Sequence, residues 1–395
     1  MCGFLSSCND CKTLVNKPEI LDGLENDVRN FVSRLQKPYG TGRYLPCLRG
    51  YTRYGETAEL GLSCFALKLF HLFGWWEGLP GPVKKDWVGF IDSYRVESDE
   101  MGSRYFHAYL DPVLVNYLSR PSISRSISRL RSTSIHEILR FRTRKAEPLP
   151  HEKAIIAETK QAIATLAEVG AHRGCRFSGF PHTPEDVVRY LSQFDWALPW
   201  SAGGQTASLA VFLSVQAPHF LSPSTVDVLR DKMRQHYRCI ADKESGGYFT
   251  DVRPTRSMLV NGGMKVLTAL DWIDEPIHYP ERLVDTVLQS PPLSEGCDLV
   301  DAIYVLFRCT EQRNYRRKEV VSYLLDCINI IAKHRKADGG FSYSEARAQR
   351  WYYGIPISKG FTEGDMHGTL LLSWALVMIA RICFPGEYHW KPIRP

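Results

Sequence analysis

DGGFSYSEARAQRWYYGIPISKGFTEGDMHGTLLLSWALVMIARI, residues 338–382, is the stretch whose reading decides the fold. It opens on Gly339 and Gly340, whose paired backbone freedom predicts a sharp, fixed turn. Phe341 is expected to point inward. A loop dense in aromatic and basic side chains follows, and Asp365 and His367 then stand at the start of an apolar run. From Thr369 to Ile382 that run is almost wholly apolar, which a helix tolerates when most of its circumference is buried. Polar groups at the mouth of a buried helix are costly, so they are expected to have partners or a chemical task.

Working outward, the same grammar of aromatic turn, glycine and buried helix recurs. Residues 58–73, AELGLSCFALKLFHLF, are apolar nearly all round and follow a turn with Gly40, Gly42 and Tyr44. Residues 195–213 carry Trp196 and Trp200 ahead of Gly203 and Gly204. Gly246, Gly247 and Tyr248 precede NGGMKVLTAL from Asn261, and CDLVDAIYVLF, without the aromatic turn, begins at Cys297. Between these lie amphipathic helices over 20–35, 224–240, 281–288 and 318–333, and a shorter one over 184–193. Residues 151–169 also read as amphipathic, with Ile155, Ile156, Ile163 and Leu166 on one stripe and Glu152, Lys153, Glu158 and Lys160 on the other. Clean period-two alternation is nearly absent, so strands are expected to contribute little. Alternating buried and amphipathic helices, in roughly six or seven hairpins, predict an all-α protein closed into an (α/α)6 toroid. Inner helices of such a double ring touch neighbours on every side while outer ones face water. The inner N-terminal ends then converge on one mouth, making neighbours of Asn261, Cys297, Asp298, Asp301 and His367. The unequal spacing of the repeats makes an open α-solenoid the less attractive reading.

The chain has 395 residues, 44% of them hydrophobic, ample for a large core. Residues 1–18 read as a flexible N-terminus and 19–395 as a single toroid domain. Residues 119–150, rich in Ser and Arg, read as a basic helical excursion, a solvated face or a site of peripheral contact with an anionic membrane. A net charge of +6 does not point to nucleic acid. The eleven cysteines are odd in number, and no basic-then-apolar leader precedes them, which suits reduced thiols and a cytoplasmic setting. Cys8 and Cys11 form a lone CxxC, weak as a zinc signal.

GGY at 246 and GGF at 339, each leading into a small-residue helix ending in Ala-Leu, resemble the repeat of the prenyltransferase and squalene-cyclase family. The resemblance spans residues 245–381, with fainter echoes at Tyr44 and Trp200. It implies an (α/α)6 toroid whose aromatic-lined cavity takes an isoprenoid, with terpene-cyclase or prenyl-transfer chemistry on a prenyl diphosphate. LVDAIY at 299–304 and DMHGT at 365–369 resemble the Asp- and His-bearing segments that hold zinc in protein prenyltransferases, although Ile303 stands where the family has cysteine.

Read for chemistry, Cys297 and Asp301 share a helix face, and His367 would complete a three-ligand zinc site with an open position. Asp298 and Asp301, three apart, would instead suit one Mg²⁺, with Arg253, Arg256 and Arg350 for phosphate. No Asp-Asp pair and no Asp-x-Asp-Asp acid is present. Glu363 or Asp365 beside His367 would serve as an acid if burial raised its pKa, although helix capping is the plainer role. Asp365, His367, Glu363 and Asp301 are therefore the candidate catalytic residues. Asp298, Trp200, Tyr248, Arg253, Arg350, Trp351 and Tyr353 are the candidate substrate contacts. The same toroid also suits carbohydrate lyases or hydrolases, with tryptophans stacking on sugars, or a non-catalytic scaffold. A closed apolar cavity would favour isoprenoids, an open groove with exposed Trp faces would favour glycans, and a filled interior would favour a scaffold.

Overall fold

The computed structural model describes residues 17–97, 105–119, 150–294 and 296–395. Its helices are α1 (Leu24–Leu35), α2 (Arg53–Thr57), α3 (Leu60–Leu72), α4 (Gly81–Asp92), α5 (Pro112–Ser119), α6 (Pro150–Glu168) and α7 (Pro184–Ser192). They continue with α8 (Pro199–Val215), α9 (Pro223–Ile240), α10 (Arg256–Trp272), α11 (Pro280–Leu288), α12 (Gly296–Gln312), α13 (Arg317–His334) and α14 (Met366–Cys383). A short antiparallel hairpin, β1 (Trp351–Tyr352) and β2 (Ile355–Pro356), lies in the loop before α14.

The ring is visible in which helices touch. Going round, α3 packs on α6, α6 on α8, α8 on α10, α10 on α12, α12 on α14, and α14 returns to α3. Those six form the inner layer, and α1, α4, α7, α9, α11 and α13 each precede one of them in sequence. The chain is thus an all-α (α/α)6 toroid. Inner helices are buried along most of their length: α8 buries twelve of its seventeen residues and α14 fourteen of its eighteen. Outer helices bury one stripe, as α9 does with Val226, Leu229, Met233, Tyr237 and Ile240. Each such fully buried apolar side chain contributes roughly 1.5–3 kcal/mol.

Local chemistry explains the starts. Thr183, Ser222, Thr255 and Asp365 are N-caps whose side chains accept from the backbone amide three residues on. Prolines stand in the first turn of α7, α8, α9 and α11, where the missing N–H costs nothing. The close approach of α8 to α10 depends on small residues: a Cβ on Gly262 would lie 2.5 Å from Cβ of Pro199.

Two sequence expectations change. Residues 151–169 do not form an outer helix: α6 is an inner member of the ring, packed between α3 and α8 with Glu158 and Thr159 buried. Glu158 and Lys160 of its polar stripe face into the ring instead of outward. The stretch 351–356, expected as plain loop, contains the hairpin, whose two turn residues Tyr353 (φ 45) and Gly354 (φ 86) both take left-handed angles as a tight hairpin turn requires. The basic excursion and the Cys8–Cys11 pair lie outside the described residues. By length and composition alone α14 is apolar enough to cross a membrane, and here it is a mostly buried member of the inner ring.

Candidate functional site

Five of the six inner helices send an ionisable side chain toward one another: Lys68 from α3, Lys160 from α6, Lys265 from α10, Asp301 from α12 and His367 from α14. Lys160 feels the charges of Lys68 and Lys265, His367 feels both of those lysines, and Asp301 feels Lys265. Helices spread around a closed ring bring such groups together only across its centre. The common space is the lumen.

Asp301 is 4% exposed and its Oδ2 is buried without a hydrogen-bond partner. Burial, opposed by Lys265 and aided by Asp298, pushes its pKa up to about 7. His367 is held on three sides. Its ring stacks on Phe65 at 4.6 Å and on Tyr343 at 5.4 Å, and its Nδ1 is 3.0 Å from Oε1 of Gln349. A carboxamide oxygen only accepts, so Nδ1 carries the hydrogen and Nε2 presents a lone pair. Burial first, then the charges of Lys265 and Lys68, push the His367 pKa down to about 3. The imidazole is neutral at ordinary pH. Burial likewise lowers Lys68 and holds Lys160 well below the usual lysine range.

The loop before α14 roofs this space. Tyr352 lies over Gly61, where a Cβ would come within 2.2 Å of the phenol oxygen, and packs edge-on against Phe65. Its hydroxyl is 3.4 Å from Oε1 of Glu158, and Oε2 of that residue accepts from the Asp111 amide at 3.2 Å. Burial and the nearby Asp111 carboxylate raise Glu158 well above the usual range. Around the mouth three large rings stay open to solvent: Trp200 (52% exposed), Trp351 (52%) and Tyr353 (41%). The Lys265 ammonium lies 5.7 Å from the Trp200 ring and the Arg350 guanidinium 6.0 Å from that of Trp351.

The other sequence candidates have structural employment. Asp365 spends its carboxylate on three amides, those of Gly368 (2.7 Å), Tyr343 (2.7 Å) and Gln349 (2.9 Å). Burial nonetheless lifts its pKa to about 6. Glu363 accepts from the amides of Gly50 (2.7 Å) and Arg49 (2.9 Å), tying the roof loop to the segment before α2. Tyr248, expected as a substrate contact, is 1% exposed and directs its hydroxyl to Nδ1 of His278 at 3.2 Å, away from the lumen. Arg253 is exposed and pairs with Glu244, and Arg256 is occupied by the carbonyls of Thr286, Val287 and Ser290, so neither waits for a phosphate.

The zinc reading of Cys297, Asp301 and His367 does not hold together. Cys297 is 3.0 Å from the Tyr343 hydroxyl and burial pushes its thiol pKa up, and His367 turns its Nδ1 to Gln349. Asp298 accepts from the Asn261 side-chain amide. Among the described residues no three His, Cys, Asp or Glu side chains are gathered as a metal site.

Sequence reasoning passed over Glu158, Lys160, Lys68, Lys265 and Gln349. The available signal was a lone lysine inside an otherwise apolar run, at Lys68 and again at Lys265 within GGMKVLTAL.

No family model matches the chain. No curated protein matches it in sequence either. Solved structures do. A GH76 α-mannanase of Bacteroides thetaiotaomicron matches at 10% identity and TM-score 0.39 over 94% of this chain and 96% of that one. A polysaccharide lyase matches at 10% identity and TM-score 0.41 over 94% and 99%. A possible member of the GH105 family from Salmonella enterica subsp. enterica serovar Paratyphi A matches at 12% identity and TM-score 0.40 over 93% and 97%. None of these three is a prenyltransferase or squalene cyclase, and the expected isoprenoid resemblance is corrected accordingly, with the terpene-cyclase and prenyl-transfer chemistry it implied. The lumen supplies the physical reason. Lysines, a carboxyl and an imidazole line it, where an isoprenoid chain needs an apolar wall.

Proposed function

We propose that the chain is a carbohydrate-active enzyme that cleaves a glycosidic bond by acid–base chemistry in the lumen of the ring. One observation carries the reading: titratable groups converge from five inner helices beneath a mouth rimmed by exposed Trp200, Trp351 and Tyr353. Large exposed rings around a concave polar site are the surface a sugar ring stacks on, apolar on its face and wet at its edge.

Asp301 is the proton carrier, because burial leaves it half protonated near neutral pH. In the hydrolytic course it gives its proton to the glycosidic oxygen as the bond from that oxygen to the anomeric carbon breaks, and the bonding pair stays with the departing oxygen. Water then bonds to the anomeric carbon and the proton it sheds restores Asp301. His367 Nε2 accepts a hydrogen bond from that water or from a sugar hydroxyl. With its pKa near 3 it orients and does not store the proton. Asp365 and Glu363 position the roof loop.

The test is incubation of the purified chain with a panel of neutral and acidic oligosaccharides, read by reducing ends and by the ultraviolet absorbance of unsaturated products. New reducing ends without absorbance mark hydrolysis, and absorbance marks elimination. Neither signal from any member of the panel, with the protein folded, would sink the reading.

A further inference from the structure

Away from the lumen, the segment between α6 and α7 borders a second concavity. Among the described residues it is lined by Phe106, His107, Arg176, Ser178 and His182, and its volume is about 430 Å³, room for a small molecule. His182 packs edge-on against Phe212 in the last turn of α8, whereas Trp200 at the mouth stands in the first turn of the same helix. At ~1.5 Å per residue those two positions are roughly 18 Å apart along the helix axis.

The wall of this cavity is fixed by its own bonds. His107 takes a left-handed angle (φ 63), which costs a non-glycine residue of order 1 kcal/mol. Two ties hold it there. Its backbone amide donates to the Val96 carbonyl at 2.9 Å, and its Nδ1 donates to the Arg176 carbonyl at 3.0 Å, since a carbonyl oxygen only accepts. The Ser178 amide reaches the Phe106 carbonyl at 3.3 Å, and the rings of Phe106 and His107 stack at 3.8 Å. Residues 105–108 and 176–178 are therefore laced together.

The polar groups of the lining are unspent. The Arg176 guanidinium lies over the Phe220 ring at 5.8 Å and, among the described residues, pairs with no carboxylate. Nor does the exposed Ser178 hydroxyl make a hydrogen bond there, and His182 Nε2 is buried without a partner. The acids nearby have cations or donors of their own. Glu97, 3.8 Å from His107 Nε2, is bound by Arg95 at 2.6 Å. Asp186, whose charge reaches His182, pairs with Arg189 at 2.9 Å. Asp92 accepts from the Tyr109 hydroxyl at 2.9 Å and lies 3.8 Å from Arg173. Among the described residues no acid lines the cavity itself. A lone exposed arginine is ordinary. One laid over a ring at a concave site, with a hydroxyl and an imidazole beside it and no acid in the lining, is suited to an anion.

We propose that this cavity is a second binding site, for a small molecule that carries a carboxylate or a phosphate. The Arg176 guanidinium takes the anion, Ser178 and His182 donate to it, and the stacked Phe106 and His107 rings carry the rest of the molecule. The site is separate from the lumen and holds whatever reaction runs there.

Calorimetric titration of the full chain with inorganic phosphate, glucuronate and glucose, at low and at raised chloride, tests this. It is run on the wild type, Arg176→Gln, His182→Phe and the exposed control Lys243→Gln, each checked for native circular dichroism. At least one of the two anions is expected to bind about tenfold or more tighter than glucose, with raised chloride weakening it. Arg176→Gln should lose about tenfold and His182→Phe several-fold, and Lys243→Gln should bind as wild type does. Preference for phosphate or for glucuronate separates the two kinds of anion. Arg176 is exposed and unpaired, so Arg176→Gln should fold and decides the matter even if His182→Phe does not. No anion binding to the wild type, glucose binding as tightly as either anion, or anion binding undiminished in Arg176→Gln would overturn the proposal.

Discussion

Gln349 Oε1 holds His367 Nδ1 at 3.0 Å while Phe65 and Tyr343 clamp the two faces of the imidazole. The residue that fixes the tautomer is carried on the roof loop, and its own backbone amide is bound by Asp365. Gln349→Leu should leave the ring stacked but its tautomer free, with kcat falling about tenfold and KM changing less, as expected for a group that orients a reactant. Gln349→Glu places a carboxylate on the same nitrogen and should raise the His367 pKa. Proton-coupled NMR of the imidazole carbons reads that shift, and an unmoved titration in Gln349→Glu would show that the contact is absent in solution.

Asp301→Asn should remove the proton carrier and lower kcat/KM by about 10² to 10⁴. In the wild type the acid form is lost as pH rises through about 7, so activity that depends on it should fall on the alkaline side with that midpoint. The same shift predicts a stability effect of definite sign. The folded pKa is raised from 3.8 to about 7, so the stability linked to Asp301 is full below about 4 and is lost as pH rises through 7. Asp301→Asn should therefore melt higher than wild type at alkaline pH and equally at acid pH. Thermal melts across that range check it. A lower melting temperature for the variant at alkaline pH would mean that Asp301 is a structural anion and not a strained acid.

The fold was legible because inner helices must be apolar around their circumference; the Gly-Gly pairs were a poorer guide, since Gly203 and Gly204, expected at a helix entrance, lie inside α8. The closed contact of α14 with α3 is what those patterns anticipate. The site was only partly legible. Asp301, His367 and Trp200 stand where the inner N-terminal ends converge, as the toroid requires. Glu158 and Lys160 were misread because periodicity reports which face is wet, not where the water is, and the lumen is a second wet surface inside the ring. Tyr248 and Arg253 were misread for the opposite reason. Residues beside a glycine turn look alike in sequence whether the turn delivers them to the lumen or, as with Tyr248 at His278 and Arg253 at the exposed Glu244, elsewhere. Asp365 had two readings, acid and N-cap, and the three amides at its oxygens favour the cap.

That geometry makes Asp365 a positioning residue with a measurable signature. Asp365→Ala removes the cap of α14 and leaves two loop amides buried and unpaired, which should destabilise the chain by about 2–4 kcal/mol. Asp365→Asn keeps an accepting oxygen and should cost about half as much. Both variants should raise KM more than they lower kcat, because they loosen the loop carrying Tyr343, Gln349 and Trp351 without touching the proton carrier. Denaturant melts and steady-state kinetics on the pair test this. Loss of kcat at unchanged stability and unchanged KM would return Asp365 to the role of acid.

Tyr353 separates binding from folding. It occupies the first turn position of the β1–β2 hairpin with φ 45, a left-handed angle that costs a non-glycine residue of order 1 kcal/mol. Its ring is 41% exposed and lies 4.6 Å from that of Tyr352, so it gains little from burial to offset the strain. A residue chosen only for the turn would be glycine or asparagine. Tyr353→Gly and Tyr353→Asn should raise stability by a few tenths to about 1 kcal/mol and weaken saccharide binding by about tenfold through the lost stacking surface. Both changes are read on one preparation, by melting temperature and by titration with the oligosaccharide that the wild type cleaves. Tighter or equal binding in the two variants would remove Tyr353 from the mouth's recognition surface, and a stability loss would show that its ring packs more deeply than its exposure indicates.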